Sequence, residues 1–169
     1  MASLPLNILI LCTGNSARSI LGECLINRLG EGRARADSAG SHPKESPHPL
    51  AIALLRESGF DVSKLRSKSW DEFATPDAAR IDLVITVCDS AAAETCPIWP
   101  GHPLRIHWGL PDPAAATGSQ AERRSAFERA YRALEQRVQA LLALPLEELE
   151  GEALERALVE IGSRAAASA

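Results

Sequence analysis

The chain has 169 residues and a mass of 18.1 kDa, the size of one domain that buries a core without help from disulfides or metal ions. Hydrophobic residues make up 46% and charged residues 24% of the chain, a composition that excludes the disordered and fibrous classes. The net charge of −4 gives no reason to expect nucleic acid or an anionic membrane as a partner, so an anion site must be local. The longest apolar run, Ile8–Cys12, is too short to cross a bilayer and follows no basic segment of the kind that opens a secretory signal.

Short apolar runs that suit strands alternate with segments of helical spacing. The runs are nearly continuous in apolar or β-branched residues, which is typical of strands buried on both faces of a parallel sheet. The predicted elements in chain order are a strand Asn7–Cys12, a helix Arg18–Leu29 closed by Gly30, a strand Ala34–Ala39, a helix Pro47–Ser58, a strand Leu83–Cys88, a strand Leu104–Trp108, a long helix capped by Ser119 and broken by Pro145, and a helix near Glu152–Gly162. We therefore predict an α/β fold of three layers, in which a doubly wound, four-stranded parallel sheet lies between helices.

The last helix is predicted to extend a single core domain. The domain takes residues 1–144, and residues 145–169 form a C-terminal helical extension. Within the extension, Leu154, Leu158 and Ile161 share one helix face. That apolar face is compatible with packing on the domain, with dimerisation and with docking of a partner.

The segment between the first strand and the first helix carries the strongest functional signal. It reads Cys12, Thr13, Gly14, Asn15, Ser16, Ala17, Arg18 and Ser19. A loop that leaves a parallel strand and turns into a helix directs backbone N–H groups and the helix dipole at one point, which favours an anion. Gly14 permits close approach of the backbone, Asn15 tolerates left-handed angles, and the Arg18 guanidinium is able to grip two oxygens of a tetrahedral oxyanion. We therefore predict that residues 13–19 bind an oxyanion.

Cys12 is the predicted nucleophile of this loop. The positive field is expected to lower its pKa strongly, so that the sulfur is a thiolate at neutral pH, with Ser19 placed to hydrogen-bond it. The alternative is an inert buried cysteine followed by an ordinary helix cap, since free cysteines are commonly part of a core. That alternative does not explain why glycine, asparagine, serine and arginine follow the cysteine at these offsets.

Cys12 and Arg18, with five residues between them and Ser19 next, resemble the signature loop of low-molecular-weight tyrosine phosphatases and of the thioredoxin-coupled arsenate reductases that share their fold. The resemblance runs from about Asn7 to the end of the long helix near Ala143. It includes the segments Ser38–Gly40, Asp82–Cys88 and Trp108–Pro113. It implies the α/β fold predicted above and leaves two activities to choose between, phosphoester hydrolysis and arsenate reduction.

Asp112, followed by Pro113 in the loop after the fourth strand, resembles the general acid that protonates the leaving oxygen in both branches of the family. A plain turn is the alternative, since Asp-Pro pairs are common in turns. In the phosphatases, aromatic residues follow this pair and stack on the phosphotyrosine ring, whereas Ala114, Ala115 and Ala116 follow it here. The resemblance therefore favours the reductase branch.

Cys88 and Cys96 resemble the redox pair of the arsenate reductases, with a gap one residue longer than is usual there. Cys88 ends the third predicted strand and so faces the ligand edge of the sheet. The small residues between the two cysteines predict a segment that unwinds so that their sulfurs can meet. Two alternatives stay open. In the first, Cys88 is merely buried at a strand end and Cys96 is a loop thiol. In the second, both cysteines bind zinc together with His102 and His107, although their spacing lacks a tight Cys-x-x-Cys knuckle.

Asn15, Glu23 and Ser38 match positions that help to hold a potassium ion in one branch of the reductases. The acidic residue that would complete such a site falls near Lys68 in this sequence. We expect the Lys68 ammonium to take the place of the ion, because one buried positive charge beside Glu23 meets the same electrostatic need.

The resemblance implies a chain of thiol exchanges. Arsenate settles in the loop, the Cys12 thiolate attacks arsenic, Asp112 protonates the departing oxygen, and Cys88 and then Cys96 carry the disulfide outward. No cofactor or metal is expected, and the expected partners are arsenate, with phosphate or sulfate as competing anions, and a thioredoxin-type reductant. Cysteines used in this way, without an export signal, predict a cytoplasmic protein. The alternatives are a phosphatase acting on phosphotyrosine or a small phosphoester, and a silent anion-sensing module, which the presence of nucleophile, arginine and acid disfavours.

Overall fold

The computed structural model describes residues 4–167 and shows a four-stranded parallel sheet in the order β2-β1-β3-β4, flanked by helices. The strands are β1 Leu6–Leu11, β2 Ala34–Ala39, β3 Leu83–Thr86 and β4 Leu104–His107. The helices are α1 Arg18–Leu29, α2 Pro49–Glu57, α3 Asp89–Ala93, α4 Gln120–Leu142 and α5 Gly151–Ala167, with 3-10 turns at Trp70–Phe73 and Pro113–Ala115. The predicted α/β fold class, with its extra C-terminal helix, is confirmed.

β1 lies inside the sheet because its residues are apolar on both faces. From Ile8 to Leu11 every residue is buried, at exposures of 3% or less. β1 pairs in parallel with β2 on one side and β3 on the other, and Leu11 is level with Ala39 and Thr86. The carboxyl ends of three strands therefore meet at one edge of the sheet, where the loop after β1 begins.

α1 starts just beyond that edge and packs against β2 and α4. Four of its apolar side chains lie in the core at exposures of 1% or less: Ile20, Leu21, Leu25 and Ile26. The helix ends at Gly30, whose N–H donates to Ile26 O at 2.8 Å. Its predicted bounds are confirmed, because the apolar spacing and the closing glycine are local signals.

The third strand is shorter than predicted, and a short helix follows it. β3 ends at Thr86 because Cys88 leaves the ladder and caps α3, accepting a hydrogen bond from Ala91 N at 3.4 Å. The sequence did not predict α3, since its five residues are an aspartate, a serine and three alanines without an apolar period.

Other boundaries differ from the predictions by one or two residues, except that α5 ends five residues later than predicted, at Ala167. β1 begins one residue earlier, at Leu6, and β4 ends one residue earlier, at His107. α2 begins at Pro49 because the His48 side chain accepts a hydrogen bond from Leu50 N at 3.1 Å and caps the helix there. These shifts move no predicted side chain to another face of the fold.

α5 packs on β4 and on α4. Leu154, Leu158 and Ile161 are buried at exposures of 4% or less, and the Trp108 indole Nε1 donates to Leu158 O at 2.9 Å. Packing on the domain is thus the arrangement that this face adopts. The domain boundary at residue 145 stays a prediction, and residues 168 and 169 of the predicted extension lie outside the described residues. Within residues 4–167, no helix combines the length and the apolar character needed to span a bilayer.

Candidate active site

A cavity of about 300 Å³ opens at the carboxyl edge of the sheet. It is lined by Cys12, Thr13, Gly14, Ser16, Ala17, Arg18, His42, Lys44, Cys88, Ser90, Asp112 and Ala114. The structure therefore brings together four of the five residues predicted as catalytic: Cys12, Arg18, Cys88 and Asp112. The fifth, Cys96, is not among the described residues that line the cavity. A larger cleft of about 540 Å³ lies at the opposite end of the strands, beside Leu6 and Leu104.

Asn15 shapes the loop from behind the cavity. It is fully buried and has a left-handed backbone, with φ of 45°. Its Nδ2 donates to Ser19 Oγ at 2.8 Å and to Ser38 Oγ at 2.9 Å, and its Oδ1 accepts from Lys68 N at 2.9 Å. Asn15 and Ser19, both predicted to bind the oxyanion, therefore hold the shape of the loop. Contact between Ser19 and the Cys12 sulfur stays a prediction.

Gly40 allows the segment after β2 to approach the loop closely. A Cβ atom at this position would lie 2.3 Å from Thr13 O and 2.6 Å from Cys12 O, so a larger residue would displace the loop. The Gly40 N–H donates to Lys68 O at 3.0 Å, and the Trp70 N–H donates to Gly40 O at 3.0 Å. The loop after β1 is thus packed against the backbone around Gly40.

Arg18 brings an unpaired donor to the cavity wall. Its Nη1 donates to Leu110 O at 2.9 Å, and its Nη2 lies 3.8 Å from Asp112 Oδ2. Its Nε is buried and has no hydrogen-bond partner among residues 4–167. Because a buried donor without a partner is costly, this N–H is available to an oxyanion in the cavity.

Asp112 lies beside Arg18 at the start of a 3-10 turn. Its Oδ1 accepts from Ala114 N at 3.0 Å and caps that turn, while the side chain stays 44% exposed. The loop that leads to it is anchored at Trp108 O, which accepts from Nη1 of the buried Arg137 at 2.8 Å. The carboxyl group is therefore held by its own backbone and still reaches both the cavity and solvent.

Cys12 and Cys88 both line the cavity, and each sulfur affects the pKa of the other. Both residues are buried, at exposures of 6% and 5%. The Cys88 sulfur also accepts from Thr13 N and from Ala91 N, each at 3.4 Å. The neighbouring Cys12 thiol and then these donors lower the pKa of Cys88 to about 5, against the opposing effect of burial.

The neighbouring Cys88 raises the pKa of Cys12, and burial adds to the rise, while Arg18 opposes it. This direction is opposite to the one predicted from the loop alone. The prediction considered the N–H groups of the loop and Arg18 but not the effect of Cys88 on the ionisation of Cys12.

Cys96 lies outside the cavity and is partly buried. Its Sγ accepts from Arg105 Nη2 at 2.9 Å and lies 3.7 Å from Glu94 O, to which a thiol donates. All of the cysteines are free thiols, including Cys24 in α1, which is buried as predicted. Burial raises the pKa of Cys24 to about 12, so that thiol is inert at neutral pH.

The geometry does not support the zinc alternative for Cys88 and Cys96. His107 Nε2 is bonded to Asp89 Oδ1 at 2.9 Å, and His102 lies at the opposite end of the sheet. Within the part of the chain that the structure describes, no group of three or more His, Cys, Asp or Glu side chains is arranged to hold a metal ion.

Four polar residues at the cavity were not predicted from the sequence. His42, Lys44 and Ser90 line it, and Glu94 Oε1 accepts from Thr13 Oγ1 at 3.3 Å. The His42 N–H donates to Thr13 O at 3.0 Å, which lays the segment after β2 along the loop. These contacts join segments far apart in the chain, so no local motif signals them.

Lys68 and Glu23 form a buried ion pair behind the loop, as expected. The Lys68 Nζ lies 3.5 Å from Glu23 Oε1, and the two side chains are 8% and 11% exposed. The same oxygen accepts from Ser38 N at 2.9 Å and from Ser38 Oγ at 3.1 Å. Burial raises the pKa of Glu23, whereas Lys68 and Ser38 lower it. That the ammonium replaces a potassium ion stays a prediction.

The family model for low molecular weight phosphotyrosine protein phosphatase matches residues 7–156, which include every segment that lines the cavity. An arsenate reductase of Bacillus licheniformis is 38% identical over 122 residues, which cover 72% of this chain and 84% of that protein.

Two solved structures show the same fold. An arsenate reductase in the phosphate binding state matches with a TM-score of 0.66 at 28% identity, over 82% of this chain and 97% of that one. A thioredoxin-dependent arsenate reductase of Corynebacterium glutamicum matches with a TM-score of 0.55 at 27% identity, over 82% of this chain and 64% of that one.

Proposed function

The chain belongs to the low molecular weight phosphotyrosine protein phosphatase family, and on that premise we propose that it is an arsenate reductase in which three cysteines carry electrons from a protein reductant to arsenate. The second sulfur in the cavity is the observation that carries the proposal. Phosphoester hydrolysis requires a thiol, an arginine and an acid. Cys88 is a further thiol that lines the same cavity as Cys12, which supports a role in taking over the bond of Cys12.

Several features support binding of arsenate, a tetrahedral oxyanion, in the cavity. The loop ends at the N-terminus of α1, where backbone N–H groups and the helix dipole favour an anion. The Arg18 Nε is a buried donor without a partner among the described residues, and Lys44 adds a positive charge to the wall. Phosphate and sulfate share the shape and charge of arsenate and are expected to compete. The phosphate-bound state of a related arsenate reductase agrees with this expectation.

The first chemical step requires that the Cys12 proton leave. The Cys88 sulfur, which lines the same cavity and has a lowered pKa, is the proposed acceptor, so the proton moves to Cys88 and the charge moves to Cys12. The Cys12 thiolate then attacks arsenic while Asp112 protonates the departing oxygen. Water leaves, and a bond between sulfur and arsenic forms.

Arsenic is reduced in the second step. The Cys88 sulfur attacks the Cys12 sulfur, and the electron pair of the sulfur–arsenic bond stays on arsenic. Arsenite leaves with the Cys88 proton, and the two thiols that supplied two electrons remain as a Cys12–Cys88 disulfide. Cys96 then attacks Cys88, Cys12 leaves as a thiolate, and a Cys88–Cys96 disulfide forms.

We propose a thioredoxin-type dithiol protein as the reductant of that last disulfide. Cys96 is the more exposed sulfur of the pair, and the related Corynebacterium glutamicum enzyme is thioredoxin-dependent. A relay of this kind needs reduced thiols, which favours a cytoplasmic setting.

Hydrolysis of phosphotyrosine or a small phosphoester is the second candidate. Family membership and the group of Cys12, Arg18 and Asp112 favour it. However, Ala114 follows the acid at the cavity, and no Phe, Tyr or Trp is among the described residues that line it. An aromatic substrate would therefore find no ring to stack on.

Steady-state turnover tests both candidates. With arsenate, thioredoxin, thioredoxin reductase and NADPH, we expect turnover by the unmodified chain and none by Cys12→Ser, Cys88→Ser or Cys96→Ser. With an activated aryl phosphate, only Cys12→Ser is expected to lose the weak hydrolysis. Cys24→Ser is the matched control, because Cys24 is a buried core thiol. Normal arsenate reduction by a chain without Cys88 and Cys96 would contradict the relay.

We also propose that Lys68 makes the enzyme independent of potassium. The ammonium already occupies the place of a counter-ion to the buried Glu23 carboxylate. Turnover is therefore expected to be the same in potassium and in tetramethylammonium salts of equal ionic strength. Strong stimulation by potassium would contradict this role.

A further inference from the structure

Arg105 is a charged partner of Cys96 that the relay described above does not use. It lies on β4, which forms one edge of the sheet. Along β4 the exposed residues Arg105 and His107 alternate with the buried Ile106, so Arg105 belongs to the solvent face. From there its Nη2 reaches the Cys96 sulfur at 2.9 Å.

The two contacts of the Cys96 sulfur suit different protonation states. A thiol donates, and Glu94 O at 3.7 Å is its acceptor. A thiolate only accepts, and Arg105 is the donor. The guanidinium is the nearer partner, and a hydrogen bond from a cation to an anion is about twice as strong as a neutral one. The short contact with Arg105 therefore favours the ionised sulfur.

Two charged side chains act on this sulfur, Arg105 from β4 and Glu94 from the segment of Cys96 itself. The pKa of Cys96 lies above its ordinary value, because burial and Glu94 raise it by more than Arg105 lowers it. Arg105 therefore favours the thiolate, whereas burial and Glu94 both favour the thiol.

We propose that Arg105 is a positioning residue for the last thiol exchange: its guanidinium stabilises the Cys96 thiolate and holds the sulfur at β4 until the Cys12–Cys88 disulfide forms. This inference rests on the proposed function. In the exchange the Cys96–Cys88 bond forms, the Cys88–Cys12 bond breaks, and Cys12 leaves as a thiolate. The Cys96 proton passes to solvent before the attack, since the sulfur is only partly buried, and the Arg105 guanidinium stabilises the thiolate that remains.

Alkylation of the reduced chain tests the inference without arsenate. Arg105→Gln removes the charge, Arg105→Lys keeps it, and Arg132→Gln removes a charge from the exposed surface of α4 as a control. The rate at each cysteine is measured by peptide mass spectrometry over a range of pH. Because peptide mass spectrometry separates the alkylation of Cys96 from that of the other cysteines, the pH profile of Cys96 measures the effect of each Arg105 substitution directly.

Loss of a cation at hydrogen-bonding distance is expected to lower the thiolate population of Cys96 by about tenfold at neutral pH. Each remaining thiolate is more basic and therefore about threefold more nucleophilic. Arg105→Gln should thus be alkylated about threefold more slowly at neutral pH and about threefold faster at the alkaline plateau. Arg105→Lys and Arg132→Gln should follow the unmodified chain. Slowing by one factor at every pH would show a merely structural role and would overturn the inference, as would an unchanged profile.

A single turnover with arsenate and no reductant supplies the second readout. Arg105→Gln should form the Cys12–Cys88 disulfide at the normal rate and convert it to Cys88–Cys96 about threefold more slowly at neutral pH. If arsenate oxidises neither chain, the proposed function fails, and the alkylation profiles still decide whether Arg105 ionises Cys96. If both chains convert the disulfide equally fast, the inference fails and the proposed function stands.

Discussion

Replacing Lys68 by methionine removes one partner of the buried pair behind the anion loop, and the structure sets the size of the effect. The Lys68 Nζ lies 3.5 Å from Glu23 Oε1, and both side chains are almost fully buried. Without the ammonium, the Glu23 carboxylate keeps its hydrogen bonds from Ser38 but has lost its counter-charge. Breaking a buried pair in this way costs about 3–5 kcal/mol. We expect Lys68→Met to lower the free energy of unfolding by that amount at mildly alkaline pH.

The loss should depend on pH, with a sign set by Glu23. Burial already raises the pKa of Glu23, and removal of Lys68 raises it further. A carboxyl group whose pKa rises on folding stabilises the fold when it is protonated, and this contribution is lost as the pH rises through the folded-state pKa. The deficit of Lys68→Met is therefore expected to be smaller in mildly acidic than in mildly alkaline buffer.

Urea unfolding, followed by circular dichroism at both pH values, measures the two deficits. Lys64→Met is the matched control, because Lys64 is exposed and its loss should change stability by no more than about 0.5 kcal/mol. Adding Glu23→Gln to Lys68→Met removes the unpaired carboxylate and should recover much of the loss. A deficit below about 1 kcal/mol, or one that the second substitution does not reduce, would refute the reasoning.

Three further predictions concern the acid, the pair of sulfurs and the last helix. Asp112→Asn should slow formation of arsenite in a single turnover by about 10²–10⁴-fold while phosphate still inhibits, and an unchanged rate would remove Asp112 from the acid role. Because the pKa of Cys88 is lowered to about 5, the thiolate absorbance of the reduced chain should contain a component that titrates near that pH and is lost in Cys88→Ser; persistence of that component would place the charge on another sulfur. Leu158→Ala should cost about 2–5 kcal/mol in urea unfolding, since Leu158 is fully buried, whereas Val159→Ala at the exposed neighbouring position should cost about 0.5 kcal/mol or less. Equal effects would show that α5 does not pack as described.

The sequence predicted those parts of the fold whose signals are local. The bounds of α1 follow from apolar spacing and Gly30, and the left-handed backbone of Asn15 follows from its place in the loop. The start of α2 was misplaced because the cap is a histidine, His48, which is not among the usual capping residues. The short helix α3 was missed because its residues have no apolar period.

The sequence predicted which residues form the candidate site, but it did not predict the pKa shifts of its cysteines. Cys12 and Arg18 share one loop, so their proximity follows from the motif. The effect of Cys88 on Cys12 depends on how β1 and β3 pair, and it raises the pKa of Cys12 where the loop alone predicted a lower one. The contact between Cys96 and Arg105 likewise joins a loop to a strand, so the spacing of residues in the sequence does not predict it.

The yield of arsenite from the reduced chain, mixed with excess arsenate in the absence of any reductant, tests the central claim most directly. The account predicts one arsenite per chain, the loss of two free thiols, and a disulfide that mass spectrometry locates between Cys88 and Cys96. Hydrolysis of an aryl phosphate by the same sample, with all thiols intact and no arsenite formed, would contradict it.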